Sequence, residues 1–258
     1  MITRLSKINL FIHSNYINTK PTVIEHKIPS SNETNIAMLT FLNYKKEFVV
    51  CFRTTDMNFN NKSTKFIDLT YGYHKYKSFK NNNLIPKINN EIYKIFCHFK
   101  FQLYSLVNSN KAKEKILLCG YGIGGAVSQI ASVFLSSYIP TCKINCITFG
   151  SPACGDQLFA NLYNQSINKS FRIIVAHDKL INKYHKKFIH VEKPIIILDK
   201  KLEINNSIRK KHRKSHKYEF SLNKYVQLLT EIAHSKLYSQ WLYHRHFNFW
   251  CKMFIIGL

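Results

Sequence analysis

Three features of this sequence could carry chemistry: a glycine-spaced turn, Gly120-Tyr121-Gly122-Ile123-Gly124-Gly125; an aspartate closing an apolar run, Asp178; and late histidines, among them His216 and His234. The turn follows Ile116-Leu117-Leu118-Cys119 and leads into Ala126-Val127, so it reads as a buried strand, a tight turn and the start of a helix. Glycines there let strand and helix approach closely and allow a residue at positive φ. Two devices use such a turn. One is the dinucleotide-binding fingerprint, G-x-G-x-x-G, which Gly120 to Gly125 fits by pattern. The other is the nucleophile elbow, G-x-S-x-G, with Gly122 in the serine's place.

The following strand decides between them. A dinucleotide site needs a carboxylate at the end of the next strand, about twenty residues on, to hold the ribose hydroxyl. Here that strand is Lys143-Ile144-Asn145-Cys146-Ile147-Thr148-Phe149-Gly150-Ser151-Pro152 and ends without one. The fingerprint also usually opens its domain, whereas more than a hundred residues precede this turn. The elbow reading stands.

Gly120-Tyr121-Gly122-Ile123-Gly124-Gly125-Ala126, then Ile147-Thr148-Phe149-Gly150-Ser151-Pro152, then Arg172-Ile173-Ile174-Val175-Ala176-His177-Asp178, resemble in order and spacing the class 3 (fungal-type) lipases. That family's pattern is G-H-S-L-G-G-A, T-F-G-S/A-P and R-I-V-N-x-x-D. The resemblance covers about residues 36–230. It implies an α/β-hydrolase fold, a mostly parallel central sheet with helices on both faces, and descent from an acylglycerol or phospholipid hydrolase. It also exposes one large departure, because the nucleophilic serine is replaced by Gly122.

Acyl hydrolysis on such a fold needs a nucleophile on the elbow, a histidine to take its proton, a carboxylate to orient that histidine, and N–H groups for the oxyanion. The resemblance assigns the elbow to Gly120, Gly124 and Gly125, the degenerate nucleophile position to Gly122 and the acid to Asp178. It assigns the oxyanion donors to Thr55, in Phe52-Arg53-Thr54-Thr55, and to Ile123 after the elbow position. Thr54 stands where the family has glycine. The family's H-S-L-x-x-Y frame falls on Phe220-Ser221-Leu222-Asn223-Lys224-Tyr225, with phenylalanine in the histidine's place. The base is therefore lost or supplied by His216, with His234 a further candidate. Phe66-Ile67-Asp68-Leu69 and the stretch from Tyr73 to Phe79 resemble two further family segments, in the second of which the histidine, His74 here, is structural. Tyr121, Cys119 and Ser128 offer no replacement nucleophile: the first points away from the elbow tip, the others sit on the strand and the helix. A glycine relieves the strain a serine must bear at this turn, so the fold can outlive its catalysis.

The elements that must position these residues alternate. Thr22 to Ile28 reads as an edge strand, and Ile36 to Leu42 with Glu47 to Arg53 reads as a hairpin. Apolar residues at helical spacing predict a helix from Ile85 to about Asn108, another from Ala126 to Tyr138 closed by Pro140, and a short one from Leu158 to about Asn164. Phe171 to Ala176 and Pro194 to Asp199 read as buried strands, and Phe220 to about Tyr243 as a helix. Strands alternating with helices predict a mostly parallel sheet covered on both faces.

A chain of 258 residues with 45% hydrophobic residues fits one α/β domain spanning 1–258. No apolar run reaches the length of a membrane span. The first residues lack the apolar core and cleavage site of a signal peptide. Seven cysteines, an odd number without a C-x-x-C pair, read as reduced packing residues of an intracellular protein, with no metal and no cofactor required. Lys and Arg outnumber Asp and Glu 38 to 14, and the formal charge is +24. Such a field attracts polyanions: a lipid or anionic membrane surface, which would make the protein peripheral, or, from charge alone, nucleic acid. The richness in Lys, Asn and Ile is also what an AT-rich genome supplies, as in some viruses and parasites. Residues 200–217 form a basic loop around Arg209-Lys210-Lys211-His212-Arg213-Lys214, and 241–258 an aromatic tail that docks on the core or anchors at an interface. Three functions follow: a lipase-like lipid-binding or scaffold pseudoenzyme, an active lipase or esterase with an unrecognised nucleophile, and a basic nucleic-acid binder.

Overall fold

A computed structural model describes residues 22–29, 34–44, 47–54, 65–69, 85–109, 114–175, 187–192, 194–198 and 201–204, with Asp178, Ile181, Tyr225 and Gln227. Its centre is an eight-stranded sheet in the order β1-β2-β3-β6-β7-β8-β9-β10. Five neighbouring strands, β3 (Glu47–Thr54), β6 (Lys115–Tyr121), β7 (Lys143–Phe149), β8 (Lys169–Val175) and β9 (Pro194–Leu198), run parallel. Antiparallel strands close both sides: β2 (Thr34–Tyr44) and the edge strand β1 (Thr22–Pro29) on one, β10 (Lys201–Ile204) on the other. A two-stranded sheet, β4 (Phe66–Asp68) with β5 (Lys87–Asn89), stands apart.

Among the described residues, α1 (Asn90–Ser109), α2 (Ile123–Tyr138) and α3 (Gln157–Ser166) connect these strands. The core forms where one sheet face, with Phe48, Val50, Phe52, Ile116 and Leu118, meets Phe96 and Phe99 of α1 and Val127 and Ile130 of α2. Every residue from Ile123 to Leu135 is buried, and α2 contains no charged side chain. A helix apolar on all sides belongs inside. Its hydroxyls are satisfied locally: Ser128 donates to the carbonyls of Cys119 at 2.7 Å and Gly124 at 2.9 Å, and Ser132 donates to the carbonyl of Ser128 at 2.7 Å.

Two expectations are corrected. The helix expected from Ile85 begins at Asn90, because residues 87–89 pair with 66–68 as a strand. Asn89 then caps the helix, its side-chain oxygen accepting from the N–H groups of Glu91 at 2.9 Å and Ile92 at 3.1 Å. The expected basic loop from residue 200 opens instead with β10, where Leu202 and Ile204 alternate with Lys201 and Glu203 against β9. The cluster from Arg209 to Lys214, most of the stretch from Phe220 to Tyr243, and the tail 241–258 lie outside the described residues. Among the described residues no helix is long and apolar enough to cross a membrane.

Candidate active site at the glycine elbow

β6 ends at Tyr121, α2 begins at Ile123, and Gly122 alone makes the turn, with φ 55° and ψ −125°. Its N–H donates to the Phe149 carbonyl at 2.8 Å, and its carbonyl accepts from Ala126 at 3.3 Å. The turn is therefore tied both to the end of β7 and to its own helix. No side chain caps α2, and its first turn carries no acidic residue. The N–H of Ile123 belongs to that uncapped turn, where helix geometry leaves amides without intrahelical acceptors.

The other glycines set how closely the parts approach. A Cβ on Gly120 would overlap the backbone of Gly124, so strand end and helix start touch there. One on Gly124 would overlap the Phe52 carbonyl, which brings α2 against the end of β3. One on Gly125 would lie 2.9 Å from Ser151 Cβ and 3.2 Å from Thr148 Cβ. The approach of β3 survives the change to Thr54 because it is made at Phe52, two residues earlier. Thr55 itself, His74, His216 and His234 lie outside the described residues.

Asp178 follows β8, is 1% exposed, and donates its backbone N–H to the Val175 carbonyl at 3.2 Å. Tyr225, itself fully buried, donates its hydroxyl to Asp178 Oδ2 at 2.7 Å and accepts from the Val175 N–H at 3.1 Å. Burial, and then the charge of Asp178, push the Tyr225 phenol well above its usual range, so it stays a donor. Gly150, at φ 57°, completes the wall: a Cβ there would meet Tyr225 Oη at 2.8 Å and Asp178 Oδ2 at 3.0 Å. Its N–H donates to the Ile173 carbonyl at 2.9 Å. Gly122, Gly150 and Asp178 thus follow the carboxyl ends of three adjacent parallel strands. Tyr121 turns its ring edge-on to Tyr225, centroids 5.6 Å apart.

Sequence reasoning used Tyr225 only to fix the histidine frame, and the acid's described side-chain partner proves to be that residue. A buried tyrosine near the start of a helical stretch gives no signal of its own; the pairing needs the fold. The thiols of Cys119, Cys146 and Cys154 are poor nucleophiles. A hydrogen bond with Cys51, and then burial, raise Cys119, and burial raises Cys146 to about 11 and Cys154 further still. Ser151 is fully buried and accepts from Gln129 Nε2 at 3.2 Å. No cluster of three His, Cys, Asp or Glu side chains able to hold a metal occurs among the described residues.

A mostly parallel sheet with a strand–glycine–helix turn and an aspartate after a later strand defines the α/β-hydrolase fold. Solved structures agree. The lipase from Rhizopus microsporus var. chinensis superposes with a TM-score of 0.53 at 14% identity over 76% of this chain and 75% of its own. The Rhizomucor miehei lipase propeptide complex gives 0.55 at 13% identity over 80% and 73%. A triacylglycerol lipase from Penicillium expansum gives 0.54 at 17% over 75% and 77%. A search of curated proteins returns no match. The family model described as lipase (class 3) matches residues 49–184, more than half of the chain. The chain belongs to the class 3 lipase family.

Proposed function

We propose that this chain is a lipase-fold pseudoenzyme that binds lipid or an anionic membrane surface as a peripheral, intracellular protein and no longer cleaves acyl esters. The observation that carries this reading is Gly122. The elbow keeps the left-handed turn a nucleophile would occupy, φ 55° and ψ −125°, and holds no side chain there. In this reading Gly122 is the degenerate nucleophile, Asp178 the inherited acid, and the N–H groups of Thr55 and Ile123 the inherited oxyanion donors. His216 is the one residue retained as a candidate base.

Without a nucleophile, the acyl-enzyme route through which a serine hydrolase splits one difficult step into two is closed. What persists is a glycine-lined turn with an uncapped helix start, suited to receiving a carbonyl or carboxylate oxygen. The excess of 38 basic over 14 acidic residues supports an anionic surface as the partner.

Hydrolysis of a short-chain nitrophenyl ester by the purified chain, beside its Gly122→Ser variant, tests the reading. The expected result is no turnover by the unmodified chain. Turnover above the roughly thousandfold over water that an oxyanion hole alone sustains would reject it and point to another nucleophile. Turnover only in the variant would show that Asp178 and a histidine still work as a pair and that the loss is confined to position 122.

A further inference from the structure

The end of the molecule away from the elbow carries an arrangement that acyl-ester chemistry does not use. Phe101 is 77% exposed in the middle of the outer face of α1, and Tyr104, one turn on, is 41% exposed. Tyr138, closing α2, is 42% exposed and meets Tyr104 edge-on at 5.8 Å between centroids. Tyr138 also packs on Phe134 at 4.5 Å, and Lys100 Nζ lies 5.5 Å from the Phe134 ring and 5.9 Å from that of Phe101. The three exposed rings are therefore held from beneath.

Lysines stand at the strand-opening end of the sheet, the end at which α2 finishes with Tyr138. Lys115, Lys143 and Lys169 open the neighbouring strands β6, β7 and β8, with Lys115 level with Lys143 and Lys169 level with Asn145. The Lys143 N–H donates to the Glu114 carbonyl at 3.0 Å, which joins the start of β6 to the connection leaving Tyr138. On α1 the acid Glu91 is held by Lys94 at 3.0 Å, and α2 brings no charge. Two tyrosines with an apolar body and polar tip and the wholly apolar ring of Phe101, with a surplus of lysine at the same end, match the boundary of an anionic bilayer, where aromatic side chains sit at headgroup depth and lysines meet the negative surface potential.

We infer that the chain docks on anionic membranes through Phe101, Tyr104 and Tyr138 with Lys115, Lys143 and Lys169, and that the elbow end is turned away from the bilayer. This rests on the membrane-binding reading above. The direction follows from α2, which runs from Gly122 to Tyr138 and so separates the two ends by about 24 Å at 1.5 Å per residue. A lipase working on a membrane must present its elbow to the lipid. This orientation does the reverse and suits a tether whose elbow faces the other side.

Flotation with phosphatidylcholine vesicles, with and without phosphatidylserine, tests it on the full chain. Four proteins are compared: wild type, Phe101→Ser with Tyr104→Ser, Lys143→Glu with Lys169→Glu, and Lys187→Glu, an exposed lysine joined through Ile189 to Gly155 at the elbow end. Wild type and Lys187→Glu should float with phosphatidylserine, and each double variant should lose at least about tenfold in partitioning. A dye on exposed Cys97, in a Cys142→Ser, Cys251→Ser background, should shift to the blue on those vesicles, a readout that needs no change to the rings. If wild type floats and the double variants do so equally well, with an unshifted dye, the surface is wrong while membrane binding stands. If only Lys187→Glu loses flotation, the elbow end faces the lipid and the orientation is overturned. Absence of wild-type flotation on any vesicle would remove the membrane reading itself.

Discussion

Tyr225 Oη stands 2.7 Å from Asp178 Oδ2 and 3.1 Å from the Val175 N–H, so one phenol joins the acid to the strand that delivers it. All three groups are buried. The contact spans 47 residues of sequence and fixes the chain around position 225 to the carboxyl end of β8.

Tyr225→Phe removes both hydrogen bonds and leaves a buried carboxylate short of a donor. The expected loss of stability is roughly 1–3 kcal/mol, measured by urea denaturation. An unchanged midpoint would show that the phenol contributes nothing net.

Gly150→Ala places a methyl group 2.8 Å from Tyr225 Oη and 3.0 Å from Asp178 Oδ2, at φ 57°. Backbone strain alone is worth roughly 1–3 kcal/mol, and displacement of the tyrosine adds to it. Thermal unfolding of Gly150→Ala beside the Gly150→Ala, Tyr225→Phe double variant separates the two. If the tyrosine is what the methyl group displaces, the double variant loses less than the sum of the single losses.

Gly122→Ser also strains the turn, since φ 55° with ψ −125° suits glycine and costs another residue roughly 1–3 kcal/mol. The variant should fold with a lowered melting temperature. A variant as stable as wild type would mean that the turn relaxes when a side chain is added.

Alkaline pH should weaken the fold through Cys146, whose thiol burial raises from 9.0 to about 11. Because the folded value is the higher, the contribution is complete below pH 9 and is lost as pH rises from 9 toward 11. The unfolded chain releases that proton first. The loss from this group is roughly 2–3 kcal/mol. Cys146→Ala should be less stable at neutral pH yet lose stability less steeply across that window, as read by urea denaturation at a series of pH values.

The elements most legible in sequence were those whose pattern is local. The apolar run Ile116-Leu117-Leu118 with three spaced glycines reads as strand, turn and helix start, as found, and the helix read from Ala126 to Tyr138 is present and begins three residues earlier, at Ile123. Residues 87–89 did not announce themselves as a strand, because three residues carry no period and their partner, 66–68, lies twenty positions earlier. β10 was hidden in a lysine-rich stretch for the same reason: its alternation spans four residues and acquires meaning only beside β9.

By itself the sequence determined that Gly122 offers no nucleophile, since the absence of a side chain is a property of the residue and not of its surroundings. It also set the order of elbow, strand and acid, because hydrophobic period and glycine spacing are local. Only the tertiary structure decided that Tyr225 closes on Asp178, that Gly150 must be bare to let it, and that Tyr104 of α1 meets Tyr138 at the end of α2. Those relationships join residues dozens of positions apart, and burial with hydrogen bonding in three dimensions, which no local pattern encodes, brings them together.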